Sequence, residues 1–172
     1  PVLVTTRTLE TPNVCTAAWC GMLATHPPQT YISLRQSRHS YTLIQQNREF
    51  VLNLPTAALV RAIDYCGVKS GKNEDKLAAC GLAAEAAFEG APPRITQSPL
   101  SLECRVKQII PLGSHDMLVA DIVAVAVDES LVDENGKLDL AKAGLCAYAH
   151  GQYFELGKQI GSFGFSVRKK KR

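Results

Sequence analysis

The chain has 172 residues, a length that suits a single domain with a sizeable hydrophobic core. Hydrophobic residues make up 46% of it and charged residues 20%, which excludes a disordered or collagen-like chain. Much of the net charge of +3 lies in the run Arg168-Lys169-Lys170-Lys171-Arg172, and the rest is slightly acidic, so we expect no nucleic-acid partner. Because no apolar stretch reaches about 18 residues and the first residues lack signal-peptide features, we expect neither a membrane span nor a leader.

The cysteines are scattered and form no C-x-x-C pair. They are Cys15, Cys20, Cys66, Cys80, Cys104 and Cys146. Structural zinc sites usually contain closely spaced pairs, and secreted disulfide scaffolds are shorter and richer in cysteine. The pattern therefore predicts small, mostly buried thiols in a reducing, cytoplasmic setting. Whether Cys20 has a redox role is left open by the sequence.

In chain order, the predicted elements are mostly strands. Period-two alternation and β-branched runs predict strands over 2–6, 14–24, 31–35, 50–54, 100–110, 117–127 and 146–155. Helical spacing predicts short helices over 37–49, 57–66 and 74–80, with a single helical turn over 138–143. The strands over 100–110 and 117–127 are expected to pair as a hairpin, and the second is expected to be central because both its faces are apolar. This balance indicates a mainly β fold, an antiparallel barrel with peripheral helices.

Several well-known catalytic motifs fail on their spacing. The segment 67–73 resembles a phosphate-binding loop, but it has three residues between its glycines and Asn73 after the lysine. No G-x-G-x-x-G follows a strand, no G-x-S-x-G is present, and the four histidines form no i,i+4 pair. The sequence therefore predicts no metal site and no catalytic triad.

A set of short segments in a fixed order carries a family resemblance over nearly the whole chain. The segments include Asn13-Val14-Cys15-Thr16-Ala17-Ala18-Trp19, Ile32-Ser33-Leu34-Arg35, Glu49-Phe50-Val51-Leu52-Asn53-Leu54-Pro55, Ser70-Gly71, Asp75-Lys76 and Tyr153-Phe154-Glu155-Leu156-Gly157. Together they resemble the FMN-binding split-barrel flavin reductases, most closely the flavoredoxin-type branch. The resemblance implies an antiparallel split β-barrel, one domain over residues 1–166 and a basic C-terminal tail over residues 167–172.

The same resemblance implies a bed for the flavin ring. Its members are Thr16, Ala17, Ala18, Trp19 and Cys20. Small side chains in this stretch allow close backbone approach to a planar ring, and the indole could lie against it. From the residues alone an alternative stays open, in which Trp19 is a core tryptophan and the small residues only permit tight strand packing.

The resemblance also implies residues that hold the phosphate and influence the ring's charge. Ser33, Leu34, Arg35 and Ser40 are expected at the phosphate and ribityl chain, since arginine binds phosphate with two parallel hydrogen bonds and a helix start favours anions. The roles of Arg38 and His39 are left open. Lys76 is expected near the ring as a cation, with Ser70 and Gly71 beside it. The alternatives are a solvated turn for the first group and an exposed helix for the second.

The expected function is that of an NAD(P)H-dependent flavin reductase, which passes electrons from NADH or NADPH to FMN and on to an acceptor. The alternative is a flavoredoxin-like FMN electron carrier that is reduced by a protein partner. No catalytic side chain is assigned, because the cofactor itself carries the chemistry. A homodimer is carried over from the family, and exposed barrel edges are consistent with it.

Overall fold

The computed structural model describes residues 1–168. Its strands are β1 (Val2–Thr6), β2 (Asn13–Ala17), β3 (Cys20–Thr25), β4 (Pro28–Leu34), β5 (Glu49–Leu54), β6 (Ala84–Glu85), β7 (Arg94–Ile95), β8 (Leu100–Pro111), β9 (Asp116–Val127), β10 (Cys146–Ala149) and β11 (Gln152–Glu155). Its α-helices are α1 (His39–Asn47), α2 (Val60–Val68) and α3 (Lys76–Cys80). Short 3₁₀ turns cover Ala57–Leu59, Glu129–Leu131, Leu140–Ala143 and Phe165–Val167.

Seven strands form one antiparallel sheet in the order β2-β1-β5-β8-β9-β4-β3. Its two edge strands, β2 and β3, are joined in the chain by only Ala18 and Trp19, so the sheet must curl until its edges meet. The backbone N–H of Ser33 donates to the carbonyl of Trp19 at 2.8 Å, which fixes this link against β4. The fold is therefore the predicted antiparallel split β-barrel, and its seam lies at residues 18–19.

Two apolar clusters stabilise the barrel. Side chains of β1 alternate between them, with Val2 and Val4 in the barrel interior and Leu3 on the outer side. Tyr41 and Ile44 of α1 join the interior cluster, which also contains Ile32, Phe50, Cys104 and Leu118. The outer cluster joins β1 and β2 to α2 and α3 through Val14, Ala62, Cys66 and Leu77. This packing places the end of α2 beside the end of β2, next to the seam.

The predicted hairpin of two long strands is confirmed as β8 and β9, and β9 lies between β8 and β4 inside the sheet. The single predicted strand over 14–24 is wrong, because residues 18–19 leave one edge of the sheet and the chain re-enters at the other. The single strand over 146–155 is also wrong. His150 and Gly151 have φ values of 50° and 82°, and they turn the segment into the β10–β11 hairpin.

The helix predictions hold in position and differ at their ends. A 3₁₀ turn precedes α2, which continues through Gly67 to Val68. Helix α3 begins at Lys76 rather than at residue 74, because the carboxylate of Asp75 accepts the N–H of Ala78 at 3.1 Å and acts as the N-cap. The basic tail predicted for 167–172 lies mostly outside the described residues. Within residues 1–168, no helix is long and apolar enough to cross a membrane.

Candidate functional site

A cavity of about 400 Å³ lies at the seam of the barrel. Its lining comes from Pro1, from the ends of β2 and β4 with the residues that follow them, from α2, from the residue before β9 and from the β10–β11 hairpin. The lining residues are Pro1, Thr16, Ala17, Ala18, Trp19, Ser33, Leu34, Arg35, Arg38, Asp64, Gly67, Val68, His115, Tyr148 and Tyr153. We refer to this space as the seam cavity. Seven of the predicted cofactor-binding residues line it: Thr16, Ala17, Ala18, Trp19, Ser33, Leu34 and Arg35.

One wall of the seam cavity consists of small residues at the end of β2 and in the link that follows. The hydroxyl of Thr16 donates to the carbonyl of Ile63 at 2.6 Å, which attaches this wall to α2. Trp19 is 66% exposed, so it is not the core tryptophan of the barrel. The wall therefore offers backbone, methyl groups and one aromatic ring to whatever enters the cavity.

Two arginines form the cationic end of the cavity. The guanidinium Nη1 of Arg38 donates to the carbonyl of Gly67 at 2.8 Å, which holds that side chain over the end of α2. Within residues 1–168, neither Arg35 nor Arg38 forms an ion pair. Their charge is thus available to an anion, and Arg38 is also the N-cap residue of α1, whose N-terminus adds partial positive charge.

A buried carboxylate fixes the segment that carries these arginines. Asp116 accepts hydrogen bonds from the amide of Gln36 at 3.0 Å and from the hydroxyl of Tyr41 at 2.5 Å. The hydrogen bond to Asp116 raises the pKa of the Tyr41 hydroxyl, and burial and the negative charge of Asp116 act in the same direction. The turn between β4 and α1 is therefore anchored on both sides to the start of β9.

The opposite wall is formed by tyrosines of the β10–β11 hairpin. The ring centroids of Tyr148 and Tyr153 are 5.1 Å apart, and the hydroxyl of Tyr153 donates to Asp64 Oδ1 of α2 at 3.2 Å. Burial, followed by the charge of Asp64, raises the pKa of Tyr153 to about 12. Tyr153 therefore remains a neutral hydrogen-bond donor near pH 7, and it ties the hairpin to α2 within the cavity lining.

Two predicted site residues lie outside the lining of the seam cavity. Cys20 opens β3, pairs with Ile32 and packs against the interior cluster. Burial raises the pKa of its thiol, which disfavours the reactive thiolate. Ser70 lies on the exposed loop before α3, where its hydroxyl accepts the N–H of Lys72 at 3.3 Å.

Three further predicted residues, Ser40, Gly71 and Lys76, meet behind the cavity around Asn13. The amide of Asn13 donates to Ser40 Oγ at 2.9 Å, and a Cβ added to Gly71 would lie 2.0 Å from Asn13 Oδ1. Within the described residues, Asn13 Oδ1 is a buried acceptor without a hydrogen-bond partner. The structure thus brings these residues together but not into the lining, and their contact with a cofactor stays a prediction.

Lys76 is only 3% exposed and carries its charge into this cluster. Its ammonium donates to the carbonyls of Cys66 at 3.1 Å and Lys69 at 3.0 Å, which uses two of its three N–H groups. Burial lowers the pKa of Lys76. The alternative of an exposed helix residue is therefore wrong, because the outer cluster packs α3 with this side chain inward.

Sequence reasoning missed several residues of the cavity lining. These are Pro1, Asp64, Gly67, Val68, His115, Tyr148 and Tyr153. Arg38, whose role the sequence left open, also lines the cavity. A His-Gly turn signal could have divided the last strand and revealed the tyrosine wall. The lining position of Asp64 depends on how α2 packs on β2, which has no local signal. Within residues 1–168, no three side chains of histidine, cysteine, aspartate or glutamate lie close enough together to hold a metal ion.

A second concave surface adjoins the seam cavity. It has a volume of about 480 Å³ and is lined by Trp19, Tyr31, Ser33, Leu112, Ser114, His115 and Met117. Trp19, Ser33 and His115 line both spaces, so the two are neighbours. We refer to this second space as the apolar groove, because aromatic and aliphatic side chains dominate its lining.

Comparisons with known proteins agree with this geometry. Residues 1–157 match the family described as Flavin reductase like domain. The fold is similar to the flavoredoxin of Desulfovibrio vulgaris (Miyazaki F), with a TM-score of 0.89 and 29% identity over 97% of this chain and 91% of that one. It is also similar to the flavoredoxin of Methanosarcina acetivorans, with a TM-score of 0.87 and 25% identity over 98% and 92% of the two chains.

Among curated proteins, the sequence is 28% identical to the FMN reductase (NADH) RutF of Enterobacter cloacae, over 58% of each chain. The family match spans the seam, both walls of the cavity and the hairpin. The chain therefore belongs to the flavin reductase-like family.

Proposed function

We propose that this chain binds FMN in the seam cavity and reduces it with NADH or NADPH, passing the electrons on to an acceptor. The observation that carries the proposal is the pairing, in one cavity, of a small-residue wall with two arginines that are free of ion pairs within residues 1–168. FMN combines a planar ring with a phosphate dianion, and these are the two chemistries that such a cavity offers.

The residues present fit FMN. The cavity volume of about 400 Å³ lies in the range of about 300–1,000 Å³ that is typical of cofactor sites. Arg35 and Arg38 supply bidentate donors for a phosphate, beside the N-terminus of α1. Lys76 provides a buried positive charge that the described part of the chain balances only with backbone carbonyls. Such uncompensated charge is costly in a protein interior and favours an anionic ligand nearby.

Each wall then has a definite task. The Thr16–Trp19 wall orients a planar group, and its short side chains leave room for close approach. Arg35 and Arg38 hold the phosphate end, while the Tyr153–Asp64 contact keeps the hairpin against α2. Bound FMN supplies a ring that accepts a hydride and releases electrons. The positive charge of Lys76 favours negative charge in its neighbourhood, and burial in a medium of low dielectric strengthens that effect.

The comparisons support two versions of this function. The similarity to an FMN reductase (NADH) favours a nicotinamide as the electron donor. The high structural similarity to two flavoredoxins favours the alternative, in which the chain is an FMN electron carrier reduced by a protein partner. Both versions place the cofactor in the same cavity, and they differ only in how its electrons arrive.

An anaerobic spectral titration distinguishes these versions. We expect the purified protein to be yellow, and addition of NADH or NADPH to bleach the flavin absorbance within seconds. Bleaching by dithionite but by neither nicotinamide would reject the reductase and support the carrier. A colourless protein that does not take up added FMN would reject both.

We also propose that the chain works as a homodimer in the cytoplasm. All six cysteines are free thiols in the structure, which suits a reducing compartment. Large apolar side chains remain exposed along β3 and β9, among them Met22, Leu23, Val123 and Val125. A second copy would remove such surface from water, and C2 pairs are the commonest assembly of soluble proteins.

A further inference from the structure

The segment over residues 156–168, which we call the strap, follows the β10–β11 hairpin and carries its apolar side chains in solvent. Ile160, Phe163 and Val167 are almost fully exposed. A hydrogen bond of 3.0 Å from the N–H of Phe165 to the carbonyl of Ser162 closes a turn, with Gly164 at φ 76°. Phe163 and Gly164 are the central residues of this turn, as in a type II turn with glycine third. The turn therefore displays Phe163 at its tip.

The apolar groove is the complementary feature on the body of the same chain. Trp19 and Leu112 are more than half exposed in it, and Tyr31 and Met117 are partly covered. Its volume of about 480 Å³ is sufficient for an aromatic side chain. The strap of the same chain does not fill it, since Phe163 is left fully exposed and Phe165 packs instead over Gly161 within the strap.

We propose that, in a two-fold homodimer, the strap of each chain lies in the apolar groove of the other, with Phe163 against Trp19. The partner copy would then supply part of the wall of the redox site, because the groove and the seam cavity share Trp19, Ser33 and His115. This inference rests on the homodimer proposed above and does not depend on which electron donor is used.

The apolar area available is sufficient for a stable pair. The groove exposes about 300 Å² of apolar surface and can cover a similar area of the strap, taking 150–250 Å² for a fully exposed aromatic residue. A two-fold axis repeats the contact, so the pair would bury roughly 1,200 Å², which is the lower end of the range for stable interfaces. A monomer seldom leaves apolar patches of this size in water. Because the two exposed surfaces belong to one sequence, a second copy covers both at once.

A photo-cross-linking experiment tests the exchange directly. Phe163 is replaced by p-benzoylphenylalanine, and the protein is co-refolded or co-expressed with a ¹⁵N-labelled copy before irradiation. We expect mixed light–heavy cross-links between position 163 and peptides that contain Trp19 or Leu112. The matched control places the same probe at Phe88, which is also exposed but stacks on Arg94 in the 84–95 segment, and it should give no cross-link to the groove.

The outcomes separate the two levels of the proposal. A dimer by sedimentation without groove cross-links, or with cross-links only inside one chain, would overturn the strap exchange and leave the homodimer standing. A monomer at every concentration would overturn both. Neither readout needs bound flavin, so the colour of the protein tests the FMN proposal separately.

A substitution provides a second readout. Phe163→Ser should raise the dimer dissociation constant about 100-fold or more, because an aromatic anchor is lost from both symmetric contacts. Trp19 is the only tryptophan in the chain, so its emission should shift to longer wavelength as the groove is uncovered. Phe88→Ser is the control and should change neither quantity. Unchanged dimerisation and emission in Phe163→Ser would refute the proposed contact.

Discussion

Replacing Arg35 by glutamine is expected to weaken FMN binding about 10- to 100-fold without changing the stability of the protein. Arg35 lines the seam cavity, is exposed, and forms no ion pair within residues 1–168. Its removal therefore leaves no buried partner unsatisfied in the cofactor-free chain. A charged hydrogen bond to phosphate contributes about 1.5–3 kcal/mol, which corresponds to that loss of affinity. Titration of flavin-free protein with FMN, followed by quenching of flavin fluorescence, measures it.

Arg61→Gln is the matched control, because Arg61 is exposed on α2 and does not line the cavity. It should bind FMN as the unmodified protein does. Added salt should reduce the difference in FMN affinity between Arg35→Gln and the unmodified protein, because the lost interaction is electrostatic. Equal affinities for Arg35→Gln and Arg61→Gln would place the phosphate elsewhere.

Gly71→Ala is expected to destabilise the protein by about 2–4 kcal/mol and to lower its melting temperature by roughly 10 °C. The added Cβ would lie 2.0 Å from Asn13 Oδ1, far inside van der Waals contact. Asn13 cannot move without cost, because its amide donates to Thr6 Oγ1 and Ser40 Oγ, both at 2.9 Å, in a buried setting. The same Cβ lies 3.5 Å from Lys76 Cε, so the buried cation is disturbed as well.

The control for this prediction is Gly157→Ala, where an added Cβ meets nothing within 4 Å and the backbone φ is not positive. It should change the free energy of unfolding by less than about 0.5 kcal/mol. Thermal unfolding of the two flavin-free variants distinguishes a steric clash at position 71 from the effect that any glycine-to-alanine replacement has on stability. If Gly71→Ala unfolds at the same temperature as the unmodified protein, the close contact with Asn13 does not exist.

The strands that follow each other closely in the chain could be predicted from the sequence. Along β8, Leu100, Leu102 and Cys104 alternate with polar residues, and this period-two pattern predicts a strand. The pattern does not report burial at the start of the strand, because Ser101 and Glu103 are buried as well. The turn that joins β8 to β9 is short, because β8 ends at Pro111 and β9 begins at Asp116. Antiparallel pairing of such neighbours needs no information from distant residues, so the hairpin and the β-rich class follow from pattern alone.

The seam could not be predicted in the same way. Residues 14–24 are small and mostly apolar, and nothing local marks Ala18 and Trp19 as the point where the chain passes from one sheet edge to the other. Their exposure follows from closure of the whole barrel, which depends on five intervening strands. A similar limit applies to the buried amide of Asn53, whose partners at Leu3, Thr5, Ile95 and Ser101 are distant in sequence.

For the candidate site, the residues taken from the family resemblance divide into two groups. Those at strand ends, such as Thr16, Ser33 and Arg35, line the cavity because the seam brings their strands together. Those around α3, such as Gly71 and Lys76, meet behind it around Asn13. Asp64 and Tyr153 also belong to the lining, although no site role was expected for either residue. Their contact joins a helix to a hairpin 89 residues further along the chain, and no local pattern reports such a contact.

A crystal structure of the protein grown with FMN would show whether FMN occupies the seam cavity. We expect electron density for a flavin between the Thr16–Trp19 wall and the tyrosines of the hairpin, with the phosphate within hydrogen-bonding distance of Arg35 or Arg38. Flavin density at another surface, or a seam cavity that holds only water at saturating FMN, would contradict this expectation.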